Sequence, residues 1–245
     1  MPKSVIVRNG YYYRGEATMT VSPTNSRVVS DKKQSPILVT FIGLLIAYLP
    51  QYIHKILNLL RVQLGPEGPP AVILWNWLSV VLLTTYIIVI ERKSLASILL
   101  ARPKIKDLAW ACLFWVAATS WNWAMNIIVA PQAQNEGLGT IIRLPIPVII
   151  GMIFTTAITE EILYRGYPIE RLRELTGNAW IGVSFSLIVF LLPHISFFGV
   201  QWLLYHGFGT ILTYILYMWR RNLWACILMH FLGNAPLLLP ALGMG

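Results

Sequence analysis

Residues 144–165 read LPIPVIIGMIFTTAITEEILYR. Sixteen uncharged residues lead into two adjacent carboxylates, Glu160 and Glu161, with Arg165 four positions beyond the second. A run of this kind is long enough to begin a membrane span. A carboxylate near mid-membrane costs about 2.5–3.5 kcal/mol on insertion scales, so a consecutive pair needs a reason. The rest of the chain agrees with the membrane reading. Of 245 residues, 56% are hydrophobic and only 12% charged, and the mean hydropathy is +0.63. A soluble surface needs about twice that share of charge. Ten Trp and eleven Tyr suit the aromatic belts at the two membrane faces.

Working outward, the apolar runs predict about seven spans, within a range of six to eight, in an all-α polytopic transmembrane bundle. They fall at roughly 36–56, 71–90, 108–130, 144–164, 179–193, 197–219 and 223–239. Pro50 interrupts the first, and a Gly/Pro loop at 65–70 follows it. Residues 1–35 form a polar tail, and 36–245 a single membrane domain. Of the 19 Lys and Arg residues, 16 fall on one set of alternate loops and three on the other. The positive-inside rule then places the N-terminus in the cytoplasm. The net charge of +9 is spread between the spans rather than gathered on one patch, which argues against nucleic acid as a partner. Cys112 and Cys226 both lie in apolar runs, so no disulfide framework is expected. Residues 1–35 hold no signal-peptide core. No internal repeat is seen, which weakens a reading built on inverted transporter repeats.

Glu161 and Arg165 share a helical face and can pair. Glu160 points about 100° away, with no local partner. An unpaired, desolvated carboxylate is suited to take a proton from water. The plainer alternative is that both glutamates sit solvated at the cytoplasmic interface beside Arg165. Downstream, Phe190 and His194 are four apart, and so are His230 and Asn234 within the last apolar run. Each pair alone is as well explained by an interfacial residue or an interhelical hydrogen bond. Together, a base, two imidazoles and an amide are the groups that peptide hydrolysis requires.

These three motifs carry a resemblance. Glu-Glu-x-x-x-Arg at 160–165, Phe-x-x-x-His at 190–194 and His-x-x-x-Asn at 230–234 occur in order on separate apolar segments. In this the chain resembles the CPBP family of membrane peptidases, the Abi or CAAX-protease family that includes the Rce1-type prenyl-protein endopeptidases. The resemblance covers about 145–240. It implies a helical cavity open toward the cytoplasm. Glu160 would activate water that His194 helps to bind, and Glu161 would pair with Arg165. His230 and Asn234 would stabilise the oxyanion, with Phe190 in support. It also implies a membrane-associated protein or peptide substrate, such as a prenylated tail or a peptide precursor, and a home in the cell membrane.

The family has been described both as metallopeptidases and as metal-free glutamate peptidases. His194, His230 and Glu160 would be the ligands if zinc were bound. The expectation is no tightly held metal, because Glu160 cannot readily serve as both ligand and base. Two other classes compete: a proton- or cation-coupled transporter using the same carboxylates as a relay, and a non-catalytic scaffold on the same fold. His206 and His54 match no motif and are expected to be a core and an interfacial residue. One conflict stands within the reading. The expected spans put Glu160 near the cytoplasmic end of the fourth and His194 at the far end of the fifth. Either the boundaries are wrong or 166–176 sits inside the membrane region, and the helical spacing of Ile169, Leu172 and Leu175 favours the second.

Overall fold

The computed structural model describes residues 35–60, 62, 68–129 and 136–243, except the side chains at 51 and 53–59. The expected tail through residue 34, and the His54 side chain, lie outside the described residues. Among the described residues all regular structure is helical, as an all-α bundle requires. The helices are α1 (Pro36–Leu59), α2 (Ala71–Val89), α3 (Ile105–Ile128), α4 (Glu136–Ile142), α5 (Ile146–Glu160), α6 (Tyr167–Thr176), α7 (Ala179–Phe198), α8 (Trp202–Arg220), α9 (Leu223–Asn234) and the short α10 (Leu238–Ala241). Four stretches are long and apolar enough to cross a membrane: Ala71–Val89, Ile146–Thr176, Ala179–Phe198 and Leu223–Ala241. The segment between the expected third and fourth spans holds the short helix α4.

The fourth expected span, 144–164, is longer than its apolar run. It does not stop near Tyr164. A π turn at Glu161–Gly166 joins α5 to α6, giving one helical stretch of 31 residues with the two glutamates at its middle. Gly177, at φ 72°, ends it in the left-handed conformation that glycine adopts without strain. The Asn178 side chain then accepts from the Trp180 amide and starts α7. α7 in turn continues past Pro193 and His194 to Phe198.

The depth conflict disappears with these longer helices. Glu160 lies 17 residues before the 177–178 turn, and His194 lies 16 after it. At 1.5 Å per residue both are about 25 Å from that turn. The two helices also approach closely. A Cβ on Gly182 would sit 2.8 Å from the Ile169 Cα, so only glycine permits the contact.

A set of ion pairs ties the loop end of the bundle together. Glu91 accepts from the Tyr167 hydroxyl at 2.8 Å and from Arg171 at 2.7 Å. Glu170 accepts from the Tyr217 hydroxyl at 2.8 Å and from Arg221 at 2.5 Å. Asp107 accepts from Arg220 at 2.7 Å and from the Lys104 amide at 2.8 Å. Asn222 caps α9 and donates to the Ala101 carbonyl at 3.0 Å. The Glu170–Arg221 contact sets a register. Glu161 is nine residues from Glu170 along one helix, and His230 is nine residues from Arg221 along its neighbour.

Candidate active site

The π turn packs against both α7 and α9, the helices that carry the two motif histidines. Glu160 and Glu161 come from the middle of the 146–176 stretch, His194 from α7 and His230 from α9. Glu161 is fully buried and forms an ion pair with Arg165, itself 2% exposed. Its Oε1 also accepts from His230 Nδ1 at 2.8 Å. The helical spacing therefore anticipated the Arg165 pairing but not the second partner.

His230 faces both glutamates. With Nδ1 turned to Glu161, its Nε2 lies 3.9 Å from Glu160 Oε2. That oxygen is buried and has no hydrogen-bond partner in the protein. Burying a carboxylate oxygen without a partner is unfavourable by several kcal/mol on the usual scales, so such a group is unusual unless something else is to bind it. Glu161 thus meets Arg165 and His230 through Oε1 while its Oε2 is also buried without a hydrogen bond, and Glu160 meets only His230, at 3.9 Å.

His194 is fixed by its own helix and by aromatic rings. Its Nδ1 lies 2.7 Å from the Phe190 carbonyl, which can only accept, so Nδ1 carries the proton and Nε2 keeps its lone pair. The imidazole packs on Phe190 at 4.2 Å between centroids and on Trp202 of α8 at 4.8 Å. Phe190 also lies 4.8 Å from the Arg165 guanidinium, within cation–π range. The same phenylalanine therefore supports both motifs. Asn234 is one turn beyond His230 on α9. Its Nδ2 donates to Thr156 Oγ1 at 3.1 Å, on the turn of α5 that precedes Glu160.

Sequence reasoning missed several neighbours. Trp202 stacks between His194 and His206, the latter at 5.3 Å. His206 thus extends an aromatic ladder. Ser186 and Tyr214 contact the π turn and Arg165. Ser186 had a signal, because 186, 190 and 194 form one stripe along a helix. Tyr214 had none, since only the folding of α8 against α7 brings it near. Beside the ladder, Leu187 and Leu191 of α7 with Leu203, Gly207 and Ile211 of α8 line an apolar groove.

Among the described residues no three His, Cys, Asp or Glu side chains gather in a way that could hold an ion. His230 and His194 each direct Nδ1 at a protein oxygen.

Residues 142–236 match the family described as Type II CAAX prenyl endopeptidase Rce1-like. The matched segment runs from the last residue of α4 into the turn after α9, and it holds all three motifs. No curated protein and no solved structure matches the chain. Residues 142–236 are thus similar to the Rce1-like proteases, and this likeness together with the apolar helices supports an integral membrane protein.

Proposed function

We propose that the chain is an intramembrane endopeptidase that hydrolyses a peptide bond in a membrane-associated substrate with water activated by Glu160. The observation that carries this reading is the buried, unpartnered Glu160 Oε2 beside His230. Glu160 takes a proton from water, and His194 Nε2 accepts a hydrogen bond from the O–H that remains, which orients the nucleophile. The resulting hydroxide adds to the scissile carbonyl carbon, and the carbonyl oxygen becomes an oxyanion. His230, as imidazolium, donates from Nε2 to that oxygen, while Glu161 holds its Nδ1–H. Asn234 has a second Nδ2–H to donate beside the one given to Thr156. Glu160 then returns its proton to the departing amine as the C–N bond breaks. No step is routed through a metal.

The 36–245 segment is read as one membrane domain of seven crossings with a cytoplasmic N-terminus, in the cell membrane. The positive-inside distribution supports the orientation. The groove beside the aromatic ladder suits an aliphatic chain, which supports a prenylated tail or an apolar peptide precursor as substrate. The test is cleavage of such a peptide by purified protein in detergent, with Glu160→Gln and His194→Ala in parallel and with and without chelator. Loss of turnover in both variants and indifference to chelator support the reading. Full turnover in Glu160→Gln rejects it, and chelator inhibition reversed by zinc replaces the metal-free chemistry. Coupled ion uptake into liposomes, abolished by the same substitutions, would favour a transporter instead.

A further inference from the structure

The π turn beside the two glutamates has a cause in the sequence. Pro168 follows it and has no N–H to give the Tyr164 carbonyl four residues back, and its ring crowds that carbonyl in a regular α-helix. Widening the helix by one residue per turn relieves the crowding, as the Tyr167 N–H to Ile162 carbonyl bond records. The Ser186 hydroxyl of α7 donates to that same Tyr164 carbonyl. Its proton is thereby committed, so the Tyr214 hydroxyl of α8, 2.8 Å away, must be the donor to Ser186 Oγ. The Tyr214 ring in turn lies 4.5 Å from the Arg165 guanidinium. Arg165 pairs with Glu161, and Glu161 holds His230. Ser186 is fully buried and Tyr214 is 5% exposed, so water does not substitute for either contact.

We propose that Ser186 and Tyr214 are positioning residues that hold the π turn and, through it, the Arg165–Glu161–His230 chain in its working geometry. This rests on the peptidase reading for its kinetic consequence, but its structural content stands apart from it. Neither residue touches the reacting atoms. Tyr214→Phe keeps the ring over Arg165 and removes only the bond to Ser186. Ser186→Ala removes the link to the π turn, and Ser186→Thr restores a hydroxyl.

The experiment uses full-length protein in detergent, labelled with 15N at its four histidines. His230→Gln identifies the His230 signals. Tyr214→Phe and Ser186→Ala shift the His230 Nδ1 resonance, and Ser186→Thr returns it. An unmoved resonance in Tyr214→Phe, the variant least able to disturb folding, overturns the proposal whether or not the protein cleaves peptides. In the cleavage assay each variant lowers kcat about 2- to 10-fold, the range for one net hydrogen bond, with KM unchanged. The double variant is no worse than the poorer single, because both act through one chain. A raised KM at unchanged kcat, or losses that simply add, overturns the proposal as well. Glu160→Gln run alongside separates the two ideas. Undiminished cleavage there rejects the peptidase reading, while the histidine resonance still decides the positioning role.

Discussion

His230 Nδ1 lies 2.8 Å from Glu161 Oε1 across 69 positions of sequence, and this bond aims the opposite ring nitrogen at Glu160. One glutamate thus orients the imidazole while the other faces its free edge. The two carboxylates differ in role because Arg165 and His230 both converge on Glu161.

Glu161→Gln is expected to damage folding as well as turnover. It leaves the Arg165 guanidinium buried without its counter-charge, and breaking a buried pair on one side costs about 3–5 kcal/mol. Thermal unfolding in detergent should show a clearly lowered midpoint. Wild-type stability in this variant would mean that the pair is not desolvated as described.

Glu160→Gln should behave in the opposite way. The amide keeps the shape, removes a buried charge whose nearest partner is His230 at 3.9 Å, and cannot accept a proton from water. Turnover should fall about 10²- to 10⁴-fold, the usual contribution of a general base. The unfolding midpoint should stay the same or rise. Measuring both quantities on one preparation distinguishes this residue from its neighbour.

Trp202→Leu removes the ring that stacks on His194 while keeping an apolar side chain. Aromatic pairs contribute about 0.5–1.5 kcal/mol beyond area burial. If that energy orients the imidazole, kcat falls several-fold while the Phe190 carbonyl contact persists. Peptide turnover as a function of substrate concentration reads this directly, and an unaltered kcat would show that Phe190 and the helix suffice.

Glu170→Gln tests the register of α6 against α8 and α9. Glu170 accepts from Tyr217 and Arg221, and hydrogen bonds to charged groups contribute about 1.5–3 kcal/mol each. The substitution should lower the unfolding midpoint. It should reduce kcat less than Glu161→Gln does, because His230 keeps its bond to Glu161. A kcat loss as large as that of Glu161→Gln would assign Glu170 to the site itself.

How much of this could be read from residues alone differs by feature. The spacing of Glu161 and Arg165 showed their pairing, since four positions on a helix bring two side chains together whatever else packs around them. The isolation of Glu160 followed from the same geometry. The spans were recognisable as apolar runs, yet the fourth was ended too early. Glu170, Arg171 and Arg173 resemble a solvated loop, whereas partners from distant positions, Glu91 and Arg221, in fact bury the first two.

The sequence by itself determined that this is a helical membrane chain carrying two carboxylates, two imidazoles and an amide in a set order. Hydrophobic periodicity and charge placement are local properties, and helices in a membrane satisfy their backbone within one segment. Only the tertiary structure decided that Glu160, His194 and His230 share one depth, that His230 bonds Glu161, and that Ser186 and Tyr214 hold the π turn. Those facts depend on how far each helix runs past its apolar core and on how antiparallel neighbours slide against each other. That register is set by contacts between residues far apart in the chain, such as Glu170 with Arg221 and Gly182 with Ile169.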